Sequence, residues 1–293
     1  MDIGILVAAT ADSGDLAEIA RLTESLGYDS LWIPEHPVIP VAMKTPFPAA
    51  RDGKLPAHYA QWADPFIALT VAATVTNWIK LGTGICLLPE REPLMTAKVI
   101  ASLDLYSHGR VIIGAGAGWL REETEVMGAS FGLRWKRMRE MVEAMRVLWT
   151  KSEASYEGEL VRFPAVRCEP KPVQKPYPPV LLGAHGPKAL ERVARTYDGW
   201  FPLVRDPDHL KRDVATIRKL AGEHGRNPEA LQITAIVDPR EQGPSADELK
   251  QYRDAGANRV VLFSQKIGVE TAAGKAPELI RKFAPVVERA QKV

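Results

Sequence analysis

The stretch KLGTGICLLPEREPLMTAKVIASLDLYSHGRVIIG (Lys80–Gly114) decides the fold, because it reads as a strand, a helix and a second strand. Its two ends, Lys80–Leu87 and Val111–Gly114, are short, mostly apolar and not alternating. Such runs are typical of strands buried on both faces of a parallel sheet. Between them, Pro93–Tyr106 begins with proline and has the length of a helix. The stretch therefore predicts a right-handed crossover between parallel strands.

The same alternation recurs along the whole chain. Further strands are predicted at Ile3–Ala8, Ser30–Ile33, Val180–Leu182, Gly199–Phe201, Gln232–Val237 and Arg259–Phe263. Further helices are predicted at Leu16–Leu26, Asp64–Thr76, Leu133–Trp149, Pro187–Tyr197, Asp208–Glu223, Ala246–Ala255 and Leu279–Ala290. Eight such units predict an α/β fold of the (β/α)8 TIM-barrel type, as a single domain over residues 1–293. A doubly wound sheet uses the same alternation and is the alternative.

Two proline-rich segments without any period interrupt this pattern. Pro37–Ala63 follows the second strand, and Phe163–Pro179 precedes the fifth strand, so both are predicted to be loops or extended arms. In a barrel the C-terminal end of a strand opens onto the catalytic face. The insertion after strand 2 is therefore expected to cover the site.

Composition excludes several classes of function. The chain has 46% hydrophobic and 25% charged residues and a formal charge of +2, without a basic face that could hold a phosphate backbone, so nucleic acid is not an expected partner. Met1 leads into the first strand without a basic leader, and no apolar run is long enough for a bilayer, which predicts a cytoplasmic protein without membrane contact. Cys86 and Cys168 are expected to be buried thiols, and the scattered histidines predict no metal site.

An acid and an imidazole stand side by side in LWIPEHPV (Leu31–Val38). Glu35 and His36 lie between Pro34 and Pro37, directly after a predicted strand, and therefore at the mouth of a barrel. This position predicts a ligand pocket. The alternative is an ion pair that only caps the barrel edge.

Two glycine-rich turns could accommodate a cofactor. Gly114–Gly118 follows a strand and resembles a dinucleotide fingerprint only loosely, whereas in a barrel its glycines would let the backbone approach a flat ring. Gly183–Ala189 follows the fifth strand and opens a helix, which predicts an anion site for a cofactor phosphate. An ordinary glycine turn with Pro187 at the first helical position is the alternative.

Three stretches together carry a family resemblance. They are LWIPEH (31–36), LGTGICLLPEREPLMTAKVIASLDLYSHGRVIIGAGAGW (81–119) and LLGAHGPKALERVARTYDGW (181–200). The chain resembles the bacterial-luciferase-like superfamily, and within it the branch of F420-dependent oxidoreductases. That branch shares EH before a proline-rich insertion, the LLPE stretch and GAGW with trailing acids. The resemblance implies a TIM barrel that holds the deazaflavin F420, or alternatively FMN, at its C-terminal face.

The resemblance also implies a role for individual residues. His36 and Glu35 would be the catalytic pair at the reactive edge of the ring, with His36 as the acid or base. Trp119 stands where some sugar-phosphate dehydrogenases of the superfamily have an acid, and would form a wall of the substrate pocket. Gly84 and Ile85 would form a bulge, often with a non-prolyl cis peptide, that supports the ring from behind. Ala117 and Gly118 would line the ring. The phosphate would be held by Ala184, His185, Gly186, Lys188 and Ala189.

The first functional hypothesis is hydride transfer between F420 and a small organic substrate. F420 carries an acidic polyglutamate tail, and Lys44, Arg51, Lys54 and Arg91 are available near the mouth to attract it. The alternative on the same fold is an FMN-dependent monooxygenase that is fed by a separate reductase. A flavin or F420 reductase is therefore a possible partner.

Two remoter functions and one assembly are also considered. A Schiff-base aldolase needs a desolvated lysine, for which Lys266 is the one reasonable candidate. A non-catalytic flavin-binding protein is the other. Asp64–Thr76 and Pro93–Tyr106 are apolar around much of their circumference, which together with the resemblance predicts a homodimer.

Overall fold

The computed structural model describes residues 1–293. It contains eleven strands, namely β1 (Asp2–Leu6), β2 (Ser30–Ile33), β3 (Lys80–Leu87), β4 (Val111–Gly116), β5 (Ala154–Glu157), β6 (Arg162–Val166), β7 (Val180–Leu182), β8 (Gly199–Trp200), β9 (Leu203–Val204), β10 (Gln232–Val237) and β11 (Arg259–Leu262). All except β5, β6 and β9 form a parallel barrel, which closes because β11 pairs with both β10 and β1. This closure confirms the (β/α)8 TIM barrel and excludes the doubly wound sheet.

Helices surround the barrel. They are α1 (Leu16–Ser25), α2 (Pro65–Val75), α3 (Pro93–Tyr106), α4 (Arg121–Val126), α5 (Arg134–Thr150), α6 (Pro187–Thr196), α7 (Pro207–Glu223), α8 (Ala246–Asp254), α9 (Gln265–Glu270) and α10 (Ala276–Ala290). No helix is both long and apolar enough to cross a membrane. Two begin with an aspartate cap: Asp64, a predicted start, accepts from the N–H groups of Phe66 and Ile67 at α2, and Asp206 caps α7 two residues before its predicted start.

Large side chains fill the barrel interior. Trp32 and Phe201 lie with ring centroids 4.5 Å apart and belong to a small buried cluster with Leu6, Ile112, Leu181 and Val261. The indole of Trp32 crosses β3 at Gly82, where a Cβ would come within 2.2 Å of the ring. Only glycine fits there, so the barrel centre is packed and not open.

The structure departs from the sequence-based prediction in two segments next to the site. Phe163–Pro179 was expected to be a loop or arm, but its first residues belong to β6, which pairs antiparallel with β5 and sets Tyr156 opposite Phe163. The apolar residues of this hairpin rest on α5, which stabilises two short strands that would not form alone. The short helix α4 was not predicted, because the six residues REETEV carry almost no apolar periodicity.

Candidate active site

A backbone bulge marks the C-terminal end of β3. The Gly84–Ile85 peptide bond is cis, and the register against β4 shifts between Gly84 and Cys86. The side chain of Ile85 occupies the space beside two glycines, since a Cβ on Gly116 would lie 2.0 Å from its Cδ1 and one on Gly183 would lie 2.8 Å from its Cγ2. The two glycine-rich turns identified in the sequence therefore converge on this bulge.

Glu35 is bound by its own chain on both carboxylate oxygens. Oε2 accepts from the N–H of Leu87 at 2.6 Å, and Oε1 accepts from Nε of Arg91 at 2.7 Å and also from its Nη2. Arg91 in turn binds Asp64 at 2.5 Å, the residue that caps α2 by accepting from the N–H of Phe66. With 4% of its surface exposed, Glu35 ties the end of β2 to the end of β3 and to α2.

His36 is paired on one side of its ring and open on the other. Nδ1 lies 2.6 Å from Oε2 of Glu123, a fully buried carboxylate on α4, so we assign the proton to Nδ1. The ring's hydrogen bond is made through Nδ1, and Nε2 has no hydrogen-bond partner within the protein. Three aromatic rings surround the imidazole, with centroids at 5.4 Å for Tyr59, 5.4 Å for Trp62 and 6.0 Å for Trp119.

The aromatic residues form a wall over the mouth of the barrel. Phe47, Tyr59 and Trp62 come from the insertion after β2, and Phe47 contacts Trp119 at 5.4 Å between centroids. The hydroxyl of Tyr59 lies 3.0 Å from Oε1 of Gln265 at the start of α9, which follows β11. The insertion therefore packs over His36 and reaches past β1 to the segment after β11.

The acids after the glycine run hold the same insertion in place. Oε1 of Glu122 accepts from the N–H groups of Lys44 at 2.8 Å and Thr45 at 3.1 Å. The side chain of Thr45, followed by these backbone groups, lowers the pKa of Glu122 to about 2. Oε1 of Glu123 lies 3.4 Å from the N–H of Val38. The helix α4 thus positions both the imidazole and the cover above it.

Two buried polar atoms beside the aromatic wall have no partner. They are Nε2 of His58 and Nε1 of Trp62, whose ring centroids are 6.0 Å apart. Burial also lowers the pKa of His58, which favours its neutral form. Because buried polar groups are nearly always hydrogen-bonded, these two atoms are candidates to bind a polar atom of a ligand.

A second buried acid lies under the glycine run. Glu90, with 3% of its surface exposed, places Oε1 at 2.9 Å from the hydroxyl of Thr124, and its Oε2 has no partner. Burial and the neighbouring charge of Glu123 raise the pKa of Glu90 to about 8. A Cβ on Gly118, whose φ is +78°, would lie 3.0 Å from Oε1 of Glu90. The acid therefore lies directly behind the turn that was predicted to line the ring.

The start of α6 is open, as an anion site requires. Gly186 has φ 84° with nothing near the position of a Cβ, and His185 and Lys188 are exposed. The N–H of Ala189 already donates to the carbonyl of Gly186 at 2.8 Å. The backbone N–H groups left for an anion are therefore those of Gly186 and Lys188, because Pro187 has none.

Three further candidate features contribute no free group to this site. Lys266 is 66% exposed and lies 3.6 Å from Glu241, so it lacks the desolvation that a Schiff-base lysine needs. Arg91 is engaged with Glu35 and is not a free cation at the mouth. A cavity of about 650 Å³ opens on the insertion itself, between Lys44 and Lys54, and His36 is not among the residues that line it.

Comparison with known proteins agrees with this geometry. The sequence model of the luciferase-like monooxygenase family matches residues 1–242. The chain belongs to this family. An uncharacterized protein of Mycobacterium tuberculosis is 38% identical over 282 residues, which covers 95% of this chain and 98% of that protein.

Solved structures of the luciferase-like family share the fold. The crystal structure of a monooxygenase from Streptomyces bottropensis has a TM-score of 0.74 at 21% identity, covering 97% of this chain and 98% of that one. The coenzyme F420-dependent tetrahydromethanopterin reductase from Methanopyrus kandleri has a TM-score of 0.71 at 20% identity, covering 98% and 100%. These likenesses show the barrel fold. In this protein the barrel places His36, Trp119 and the Gly84–Ile85 bulge at the same rim.

The residues that sequence reasoning missed are the partners of His36. Glu123 is one of the acids that follow GAGW, and Glu90 is the last residue of LLPE. Nothing in the sequence predicts that both are buried. Tyr59 and Trp62 lie in an aperiodic segment, where no pattern indicates which side chains turn inward.

Proposed function

We propose that the protein is an F420-dependent oxidoreductase that transfers a hydride between the deazaflavin and a small alcohol or carbonyl compound. The observation that carries the proposal is the His36–Glu123 pair, which lies at the barrel mouth beneath the aromatic wall with Nε2 unoccupied. A hydride acceptor needs a neighbouring group that moves the accompanying proton, and an imidazole fixed in one tautomer is suited to that task.

The residues at the rim fit a flat ring with a phosphate-bearing tail. Ala117 and Gly118 would line the ring, and the bulge at Gly84 and Ile85 would support it from behind, because glycines in β4 and after β7 allow the backbones to approach. The open start of α6 would hold the phosphate, through Ala184, His185, Gly186, Lys188 and Ala189. The N–H of Ala189 already donates to the carbonyl of Gly186. When bound, F420 supplies hydride transfer at carbon 5 of its ring.

The protein's own residues would then handle the proton and the substrate. The lone pair on Nε2 of His36 takes the hydroxyl proton of an alcohol as its hydride leaves, and in the reverse direction the protonated imidazole returns it to a carbonyl oxygen. Trp119 and the other aromatic side chains seat the apolar part of the substrate. The contacts of Glu35 favour a positioning role, through Arg91 and Leu87, over contact with the ring.

F420 is favoured over FMN by the charge near the mouth. Lys44, Arg51 and Lys54 are exposed on the insertion, where they would attract an acidic tail, and FMN has no such tail. The reductase from Methanopyrus kandleri, which is F420-dependent by name, supports the same choice. The monooxygenase from Streptomyces bottropensis supports the second candidate, an FMN-dependent monooxygenase that needs a separate reductase.

We also propose that the protein is a homodimer that joins through α2 and α3. These helices leave an apolar face uncovered, with Ile67 68%, Met95 62% and Tyr106 70% exposed. Uncovered apolar surface on adjacent helices is typical of a subunit interface. Analytical ultracentrifugation should give the mass of two chains for the wild type, and of one chain for the Ile67→Glu, Met95→Glu double variant.

The cofactor proposal is tested by titrating the purified apoprotein with F420 and, separately, with FMN. Binding is followed by ultraviolet–visible absorption and by quenching of tryptophan fluorescence, since Trp62 and Trp119 flank the expected ring. We expect F420 to bind with a Kd on the order of micromolar and FMN at least about tenfold more weakly, a difference of about 1.4 kcal/mol. Binding of FMN alone would overturn the choice of F420 and direct the work to oxygen chemistry.

A further inference from the structure

Two buried acids lie in series behind His36. Glu123 contacts the imidazole directly, and Thr124, the next residue on α4, connects by its hydroxyl to Oε1 of Glu90 on the turn after β3. Glu123 is 0% and Glu90 is 3% exposed, so neither carboxyl is solvated. Two carboxylates this close in a dry setting cannot both be charged without a large cost.

The contacts of the two carboxyls indicate which one keeps a proton. Both oxygens of Glu123 have partners, Nδ1 of His36 at 2.6 Å and the N–H of Val38 at 3.4 Å. Glu90 accepts one hydrogen bond, from the Thr124 hydroxyl to Oε1 at 2.9 Å, and its buried Oε2 has no partner. Burial therefore favours the neutral form of Glu90 and leaves the negative charge on Glu123.

We propose that Glu123 and Glu90 are positioning residues for His36: the pair carries one negative charge, on Glu123, which holds Nδ1–H and turns the lone pair of Nε2 toward the pocket, while Glu90 stays neutral. This inference rests on the proposed role of His36 as the acid or base. Because Glu90 is neutral, Glu123 carries the whole negative charge of the pair and binds Nδ1–H of His36 as a carboxylate.

The charged groups around the pair do not neutralise a second negative charge. From β2, Glu35 is already matched by Arg91. From α5, Arg134 donates to the carbonyl of Gly118 at 3.2 Å, and Arg137 donates to the carbonyl of Pro89 at 2.9 Å, so both guanidinium groups bind backbone atoms. No cation contacts Glu90.

Ionisation of Glu90 therefore adds an uncompensated charge behind the imidazole. Since burial and Glu123 raise the pKa of Glu90 to about 8, this charge appears only as the pH rises through that value. At neutral pH the His36–Glu123 pair therefore has a neutral carboxyl behind it.

The first test uses the apoprotein, so that it does not depend on cofactor or substrate. Infrared spectroscopy should detect the C=O stretch of a protonated carboxyl at neutral pH, which disappears in Glu90→Gln and persists in the exposed control Glu125→Gln. ¹³C-labelled glutamate in the wild type should show one carboxyl that titrates near pH 8. Absence of both signals from correctly folded protein would overturn the neutral state of Glu90.

The second test reads the tautomer of His36 and needs no turnover. ¹⁵N spectra of the imidazole should show a protonated Nδ1 and an unprotonated Nε2 in the wild type, and a mixture of tautomers in Glu123→Gln. An unchanged tautomer in a folded Glu123→Gln variant would overturn the positioning role. Circular dichroism identifies a variant that fails to fold, in which case the wild-type carboxyl titration decides.

Kinetics then separate this inference from the proposed function. With F420 and an alcohol that is turned over, Glu123→Gln should lower kcat by about 10- to 100-fold with KM changed about twofold or less. An unchanged kcat in a folded Glu123→Gln variant contradicts the inference alone. Failure of F420 to bind contradicts the proposed function, while the spectroscopic results still stand.

Discussion

The guanidinium of Arg91 binds the buried carboxylate of Glu35, with Nε 2.7 Å from Oε1, and it also binds Asp64 at the start of α2. A single arginine therefore connects the end of β2, the end of β3 and the start of α2. We expect Arg91→Met to lower the free energy of unfolding by about 3 kcal/mol, because it leaves the charge of Glu35 buried without its partner.

Urea denaturation measures this effect of Arg91. The matched control is Arg121→Met, which breaks an exposed ion pair with Glu125 and should cost at most about 0.5 kcal/mol. Equal stability of the two variants would show that Glu35 does not depend on Arg91.

The pKa of Glu90 predicts how stability changes with pH. Burial raises this pKa from its ordinary value near 4.5 to about 8. Between those values the folded state binds a proton that the unfolded state has lost, so the contribution of Glu90 to stability is full at low pH and is lost as the pH rises to about 8. Relative to the wild type, Glu90→Gln should therefore gain stability progressively as the pH rises from about 5 to about 8, by up to about 5 kcal/mol.

The measurement is the free energy of unfolding of both proteins across that range of pH. Glu125→Gln serves as the control, since its carboxylate is on the surface and its curve should run parallel to that of the wild type. Parallel curves for Glu90→Gln as well would mean that Glu90 is ionised in the folded protein at neutral pH.

Removal of the imidazole should affect turnover far more than binding. His36→Ala should lower kcat by about 100-fold or more, because the proton has no acceptor, while the Kd for F420 changes by about threefold or less. The exposed histidine variant His209→Ala is the control. A fully active His36→Ala enzyme would remove this residue from the mechanism.

The phosphate site should not distinguish between the two cofactors. Lys188→Glu places a negative charge at the open start of α6 and should raise the Kd of both F420 and FMN by about tenfold. Lys211→Glu on α7 has the same change of charge and should leave both values unchanged. Unaltered binding by Lys188→Glu would place the phosphate elsewhere.

The basic residues of the insertion should distinguish the cofactors. Reversal of the charges at Lys44, Arg51 and Lys54 should weaken F420 about tenfold in low salt and leave FMN unaffected, because only F420 has the acidic tail. The effect should shrink as salt is added. A loss that is equal for both cofactors would instead indicate damage to the insertion, which circular dichroism and melting would detect.

The sequence predicts the barrel well because its signal is local. Ser30–Ile33 and Lys80–Leu87 are strands with the predicted bounds, since each is a short apolar run that ends at a proline or at a turn. The position of His36 at the mouth follows from the same signal, because the C-terminal ends of all barrel strands meet at one rim.

The chemistry of the site depends on contacts that no local pattern contains. Glu123 lies 87 residues from His36 in the chain, and Arg91 lies 56 residues from Glu35. Whether an acid such as Glu90 is solvated or buried depends on how α4 and the turn after β3 come together. For that reason the sequence indicated the pocket but not which group would hold the imidazole.

The most direct test of the account is a crystal structure of the protein with F420 bound. We expect the ring to rest on the Gly84–Ile85 bulge, with its reactive edge facing Nε2 of His36 beneath Trp119 and its phosphate at the start of α6. A ring bound elsewhere, or one whose reactive edge faces away from His36, would contradict the assignment of this site as the centre of hydride transfer.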